Sequence, residues 1–205
     1  IDKDMSIVVQ DYLEKEDLNF MLSTAVKEIK VDDEGKVCGV ITDKGELDCD
    51  LVLVAAGVRP EISLAKEAGL ECDRTITVNE FMQTSDPDIY AGGDCVSVTH
   101  RISGEKIYGP MGSTANKHGR IIGTNIAKGN VQTFPGVLGT SICKMFDWSI
   151  GKVGLTEADA KRLGYDVATC VVPGPDITHF IPGKKLIMVK TVADKKTARI
   201  LGVQI

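Results

Sequence analysis

Met5, Val8, Val9, Tyr12 and Leu13 fall at i, i+3, i+4, i+7 and i+8. That spacing puts apolar side chains on one face of a helix of about three turns. From Thr24 the period shortens to two, through Val26 and Ile29 to Val31. Asp33-Glu34-Gly35 and Asp43-Lys44-Gly45 are turn sequences that bracket a strand from Lys36 to Thr42, so the segment reads as a meander continued from Glu46 to Ala56. Within that last strand, Leu51-Val52-Leu53-Val54-Ala55-Ala56 is apolar at every position, which predicts burial on both faces inside a parallel sheet. Gly57 ends it and Pro60 closes the following turn.

Residues 61–70 read as a short helix ending at Gly69, and 76–78 as a short strand. Thr84-Ser85-Asp86-Pro87-Asp88 is a polar turn that feeds a brief strand ending in Gly92-Gly93-Asp94. Pro110 to Gly129 reads as a helix carrying small residues at Gly112, Ala115, Gly119 and Gly123, where a backbone can sit close to a neighbour or a ligand. Pro135-Gly136 marks a boundary. Beyond it, strands are predicted over Val137–Phe146 and Ser149–Val153. A capping box at Thr156-Glu157-Ala158-Asp159 then opens a helix that Gly164 ends. Three further strands follow at 165–172, 185–192 and 198–205, with Asp194–Thr197 as the last turn.

Composition adds mainly exclusions. The 205 residues are 43% hydrophobic and 26% charged, which suits a globular chain rather than disorder or coiled coil. A net charge of -5 offers no electrostatic footprint for nucleic acid or an anionic membrane. The apolar run 51–58 is far shorter than the roughly 20 residues of a membrane span. With no signal segment, a cytoplasmic location is expected. The chain opens at Ile1 without a methionine and stops at Ile205 inside an alternating apolar stretch, so it reads as a piece of something longer.

Cysteines 38, 49, 72, 95, 143 and 170 lie at least eleven positions apart, too far for a C-x-x-C, zinc-ribbon or cluster motif. They read as small buried hydrophobes, with Cys95 and Cys143 as core candidates beside Trp148. His100, His118 and His179 form no metal-ligating pair, and no metal is expected. No two of the 21 glycines are separated by a single residue, so G-x-G-x-x-G is absent, and with it the opening of a complete dinucleotide site.

Two blocks are more specific. Leu51-Val-Leu-Val-Ala-Ala-Gly-Val-Arg-Pro60, followed by Thr84-Ser-Asp-Pro-Asp-Ile-Tyr-Ala-Gly-Gly-Asp94, resembles the pyridine nucleotide–disulfide oxidoreductase family. The resemblance implies a mixed α/β and α+β fold, with partial FAD/NAD(P)-binding Rossmann-like layers followed by an α+β dimerisation domain. It places the end of an NAD(P)H-binding domain at 1–50, the returning half of an FAD-binding domain at 51–132, and a dimerisation domain at 133–205. An acid at a strand end accepts hydrogen bonds from ribitol hydroxyls, and Gly92-Gly93 leaves backbone room beside a pyrophosphate. Gly57, Gly92, Gly93 and Asp94 are therefore expected at FAD.

Ala115-Asn-Lys-His-Gly-Arg120 and Phe134-Pro-Gly-Val-Leu-Gly-Thr140 most resemble the coenzyme A disulfide reductase, NADH oxidase and NADH peroxidase branch. There the helix from Pro110 points its N-terminus at the flavin pyrimidine ring, where a positive helix end stabilises reduced flavin. Gly112, Ser113 and Ala115 are the implied flavin neighbours. Asn116 matches a coenzyme A contact, while the role of His118 stays open between helix surface and substrate or flavin contact. His179-Phe180-Ile181-Pro182-Gly183 matches a segment that reaches the partner's substrate site, so Phe180 is implied there. Disulfide reductases of the branch carry tyrosines in this segment, and Phe180 has no hydroxyl.

The resemblance implies a homodimer through 133–205 and the cofactors FAD and NAD(P)H. It also implies electron transfer to a thiol, disulfide, persulfide, peroxide or oxygen acceptor. The redox cysteine of the family lies upstream, so no catalytic residue is expected here and the 205 residues alone are expected to be inactive. The competing expectation is a non-catalytic dimerisation or binding module sharing the fold.

Overall fold

The computed structural model describes all 205 residues, Ile1–Ile205. They divide into two compact units: Gln10–Arg59, and Ile1–Val9 together with Pro60–Ile205.

Gln10–Arg59 follows the helix α1 (Lys3–Lys15) with an antiparallel meander of β1 (Val26–Val31), β2 (Val37–Thr42) and β3 (Gly45–Asp48), in spatial order β1-β2-β3. Its turns form where the polar triplets predict them. The Asp32 carboxylate accepts from the Glu34 and Lys36 N–H groups at 2.9 Å, and Thr42 Oγ1 donates to the Gly45 carbonyl at 2.8 Å. The meander departs from expectation at its end. Residues 51–58 form no strand, and Leu51, Leu53 and Val54 are 77%, 83% and 73% exposed. A strand inside a parallel sheet needs a ladder on each edge, and no strand of this unit pairs with the segment.

The larger unit contains α2 (Ser63–Glu67), a two-stranded ribbon of β4 (Val98–Thr99) and β5 (Lys106–Ile107), and the helix α3 (Gly112–Lys128). Ala65, Ile76, Val78, Met82, Val96 and Val98 form its first core, against which Ile121, Ile122 and Phe134 pack. The strand expected at 76–78 is reduced to bridges of Ile76 with Cys72 and Val96. The helix expected over 61–70 is one short turn and a half within it.

The C-terminal part is an antiparallel sheet of β6 (Ser141–Met145), β7 (Trp148–Gly154), β8 (Val167–Pro175), β9 (Leu186–Asp194) and β10 (Ile200–Gln204), ordered β6-β7-β10-β9-β8. Before β8 runs the helix α4 (Glu157–Arg162), capped as predicted: Thr156 Oγ1 accepts from the Asp159 N–H at 3.0 Å. Leu155, Ala160, Val192 and Leu201 form the second core. The strand predicted from Val137 begins only at Ser141, because Gly139 at φ 66° breaks the extended run. Cys143 is exposed on the edge strand β6, and Trp148 is 39% exposed at the β6–β7 hairpin, so neither is core. All six cysteines are free, three of them exposed and three half-buried, which corrects the buried-hydrophobe reading.

The N-terminal segment is fixed to this sheet by charge. Lys190 on β9 is 1% exposed, and its Nζ lies 2.7 Å from Asp4 Oδ2, 2.7 Å from Glu157 Oε2 and 3.3 Å from Asp2 Oδ2. Asp2 also receives the N–H groups of Glu157 and Ala158 and the side-chain amide of Gln204. Three carboxylates thus satisfy one buried ammonium, and Gln204 in turn holds Asp2. No helix is long and apolar enough to cross a membrane.

Candidate functional site

The first core presents the loop Gly92-Gly93-Asp94 against the N-terminal half of α3. The bridge between Ile76 and Val96, with the Ile76 N–H donating to the Cys95 carbonyl at 2.9 Å, holds the outgoing chain. On the other side Gly93, at φ 85°, lies against Ala115: a Cβ on Gly93 would come 3.7 Å from the Ala115 methyl. Gly92 is tighter still. A Cβ there would stand 2.7 Å from Ile122 Cδ1 and 2.9 Å from His118 Cβ, so only glycine lets the loop descend onto the helix.

His118 completes the contact. It is fully buried, and its Nδ1 accepts the Gly93 backbone N–H at 3.0 Å. Nδ1 is therefore the unprotonated nitrogen, and the proton of the neutral ring sits on Nε2, which is buried without a hydrogen-bond partner. Phe134 packs perpendicular to the ring, at 4.4 Å between centroids with the planes 88° apart. Burial holds the imidazole pKa below its ordinary value, so the ring is neutral.

One turn from the C-terminus of α3, buried Asn125 uses its whole amide. It donates to the Phe81 and Gln132 carbonyls at 3.0 and 2.8 Å and accepts from the Val131 and Gln132 N–H groups at 3.1 and 2.9 Å. His118 and Asn125 thus anchor the two ends of α3 to the loops that surround it.

The opposite face of the helix is open. Added Cβ atoms at Gly112, Gly119 and Gly123 would meet nothing within 4 Å, and Asn116 is exposed on the same face. No side chain caps Met111 and no acid lies in the first turn, so the positive end of α3 at Gly112 and Ser113 is unopposed by the chain's own charge. Asp94 is exposed, and its carboxylate makes no hydrogen bond or ion pair within the chain.

The residues predicted for cofactor contact fall into groups. Gly92, Gly93 and Ala115 come together, Gly112 and Ser113 begin the same helix, and Asp94 leaves the loop toward solvent. Gly57 lies in the Gln10–Arg59 unit, at φ 87° with open space around it. Phe180 is 74% exposed in the 176–185 loop, and its ring meets His179 at 5.4 Å. A glycine loop packed on the helix, an uncommitted acid and an open helix N-terminus make a donor and acceptor set that fits a diphosphate-linked, hydroxyl-rich cofactor. Two residues that sequence reasoning left unassigned, His118 and Asn125, hold this arrangement. The available signal was their position on the Ile121–Ile122 face of the helix.

Residues 1–118 match the model of the pyridine nucleotide-disulphide oxidoreductases, and residues 140–205 match the dimerisation domain of the same family. The chain is 42% identical over 205 residues to the NAD(P)H sulfur oxidoreductase (CoA-dependent) of Pyrococcus furiosus, covering 99% of this chain and 46% of that protein. It is 39% identical over 206 residues to an NADH oxidase of Methanocaldococcus jannaschii, covering 100% and 45%. Among solved structures, the NAD-dependent persulfide reductase from A. fulgidus superimposes with a TM-score of 0.92 at 40% identity, covering 100% of this chain and 38% of that one. The chain thus spans about half the length of the curated relatives it matches.

Proposed function

The chain belongs to the pyridine nucleotide-disulphide oxidoreductase family, and on that premise we propose that it forms part of an FAD-dependent enzyme oxidising NAD(P)H. The electron acceptor in this reading is a disulfide, persulfide, peroxide or oxygen. The carrying observation is the Gly92-Gly93-Asp94 loop seated on the first turns of α3, with a carboxylate and a helix N-terminus left free on one side.

FAD, when bound, supplies the hydride and electron chemistry. The chain's own residues bind and orient it. Asp94 accepts from the ribitol hydroxyls, and Gly92-Gly93 admits the backbone close to the pyrophosphate. The N-terminus of α3 at Gly112, Ser113 and Ala115 places partial positive charge where negative charge accumulates on reduction. His118 holds Gly93 from beneath and excludes water from the underside of the loop. Gly57 adds backbone freedom where the chain enters this domain.

The assignment of regions is 1–50 to the end of an NAD(P)H domain, 51–132 to the returning half of the FAD domain and 133–205 to the dimerisation domain. Homodimerisation through 133–205 brings Phe180 toward the partner's substrate, opposite Asn116. Phe180 lacks a hydroxyl to donate, which favours a persulfide, peroxide or oxygen acceptor over coenzyme A disulfide. Without G-x-G-x-x-G, the 205 residues alone turn over no NADH.

The test is to purify the full-length protein and its Asp94→Ala variant and measure bound flavin and NADH oxidation with oxygen, peroxide and a persulfide. Stoichiometric flavin in the parent, with loss in the variant at unchanged fold, supports the reading. A colourless parent that dimerises but never oxidises NADH supports a non-catalytic module instead.

A further inference from the structure

The two cysteines nearest in sequence, Cys38 and Cys49, face each other in the fold. The β2–β3 ladder pairs Thr42 with Gly45, Ile41 with Glu46, Val40 with Leu47 and Gly39 with Asp48. One more step in that register sets Cys38 opposite Cys49, and the Cys49 N–H donates to the Cys38 carbonyl at 3.4 Å. Directly opposed residues of an antiparallel pair carry their side chains on the same face. Both thiols therefore leave one side of the hairpin. Both are free, Cys38 exposed and Cys49 half-buried.

The backbone spacing suits a bond between them. A hydrogen-bonded antiparallel pair holds its Cα atoms about 5.5 Å apart, inside the roughly 4.4–6.8 Å that disulfides span. The Cβ atoms of such a pair stand about 5.5 Å apart, whereas a disulfide holds them at about 4 Å. Local features let the difference close. Cys49 lies just past Asp48, the last residue of β3, so it is less restrained than the ladder itself. Cys38 is passed over by β1: Lys30 pairs with Gly39 and Val31 with Val37, which leaves Cys38 as a bulge between them. Beside it, Gly39 already draws the strands together, since a Cβ there would stand 2.7 Å from the Leu47 carbonyl oxygen. A bond made by pulling two strands closer carries strain, and strained, exposed disulfides are the readily reduced ones.

We propose that Cys38 and Cys49 form a reversible dithiol–disulfide pair, oxidised by exchange with a low-molecular-weight disulfide, that ties the exit of the meander to β2. The exposed Cys38 thiolate attacks one sulfur of the small disulfide, whose S–S bond breaks to release one thiolate. The Cys49 thiolate then attacks Cys38 Sγ in the mixed disulfide, and the second small thiolate leaves. The two protons lost by the cysteines pass to the two released thiolates. One small disulfide is thus reduced to two thiols as one disulfide forms in the protein. The new bond closes the 38–49 loop just ahead of the exposed Leu51, Leu53 and Val54. Both cysteines lie within Gln10–Arg59, apart from the glycine–acid loop, so the exchange needs no flavin.

The experiment equilibrates the purified full-length protein with glutathione disulfide, blocks the remaining thiols with N-ethylmaleimide and digests it with trypsin without reduction. Cleavage after Lys36, Lys44 and Lys66 puts the cysteines on separate peptides, Val37–Lys44 and Gly45–Lys66, because the Arg59-Pro60 bond resists the protease. A linked pair of these peptides, lighter by the two thiol hydrogens, is expected in most of the protein and disappears with dithiothreitol. Amide hydrogen exchange over the 37–49 hairpin is expected to slow severalfold in the oxidised protein. Cys49→Ser should instead retain one glutathione on Cys38, because the resolving thiol is gone. Cys38→Ser should show neither the link nor the slowed exchange. Circular dichroism checks that both variants are folded, and the parent's own linked peptides decide the matter without either. Cysteines 38 and 49 that stay free, a parent that keeps glutathione on Cys38 with Cys49 free, or a link that leaves the exchange unchanged overturns the proposal.

Discussion

His118 Nδ1 receives the backbone N–H of Gly93 at 3.0 Å, so a fully buried imidazole carries the underside of the glycine loop. Replacing it leaves that N–H without a partner and opens a cavity against Phe134. His118→Ala is expected to cost about 3 kcal/mol in denaturant unfolding, from the lost hydrogen bond and the cavity together.

The same ring makes stability depend on pH. Burial lowers its folded-state pKa, so between that value and the unfolded value of about 6.5 the unfolded chain binds more protons. Stability therefore rises with pH across this window and is lost on acidification through it. Unfolding curves between pH 5 and pH 7, about the range of histidine titration, should show this slope in the parent and a flatter one in His118→Ala.

Asn125 makes four hydrogen bonds with one amide, joining α3 to the 81 and 131–132 backbones. Asn125→Ala leaves the Phe81 and Gln132 carbonyls and the Gln132 N–H without this partner, while the Val131 N–H keeps its bond to the Gly129 carbonyl, and a loss of about 3 kcal/mol is expected. Asn125→Asp keeps the acceptor but sets a carboxylate oxygen against the Phe81 and Gln132 carbonyls, so it should be no more stable than Asn125→Ala. Thermal unfolding of the three proteins side by side reads the order.

At Lys190 the sign of the electrostatics is fixed by its partners. Burial alone would lower the ammonium pKa, but the hydrogen bonds it donates to Asp4, Glu157 and Asp2 outweigh it and raise the value. For Asp2, burial pushes the carboxyl up, and the donors from Glu157, Gln204, Ala158 and Lys190 bring it below the ordinary range. The depressed Asp2 contributes stability that is present above its unfolded value and lost as pH falls below about 4. The raised Lys190 contributes stability that is present below about pH 10.5 and lost above it. Lys190→Met should destabilise by about 3 kcal/mol at neutral pH, because buried Asp2 is left facing two other carboxylates. Amide hydrogen exchange of residues 1–9 should accelerate in that variant.

Two glycines with nearly the same backbone angle should respond very differently. Gly35 has φ 79° and open space around it, whereas Gly136 has φ 85° and the Thr99 carbonyl oxygen 2.3 Å from the place a Cβ would take. Gly35→Ala should cost about 1 kcal/mol, the left-handed penalty alone. Gly136→Ala forces backbone against backbone and should cost about 3 kcal/mol or more, read from denaturation midpoints.

Local patterns were legible where local chemistry decides the outcome. The Thr156–Asp159 cap, the Asp33–Gly35 and Asp43–Gly45 turns and α3 itself follow the sequence within two residues. The segment Leu51–Ala56 failed because a strand buried on both faces is specified by its neighbours, and none pairs with it here. Cys143 and Trp148 failed for a related reason: apolarity places a residue on a sheet but does not say whether an edge or a hairpin end is covered. His118 was left undecided because a polar residue on an apolar face reads the same whether it is tolerated or required. Only the Gly93 N–H, twenty-five residues away, settles which.

The central claim is that Gly92, Gly93 and Asp94, seated on α3, hold FAD. Its most direct measurement is the flavin-to-protein ratio of the purified full-length protein, with Asp94→Ala prepared identically and its fold verified by circular dichroism. A stoichiometric ratio in the parent that falls severalfold in Asp94→Ala, as loss of charge-assisted hydrogen bonds to the ribitol requires, agrees with the account. An unchanged ratio in the variant, or a parent with no flavin at all, contradicts it.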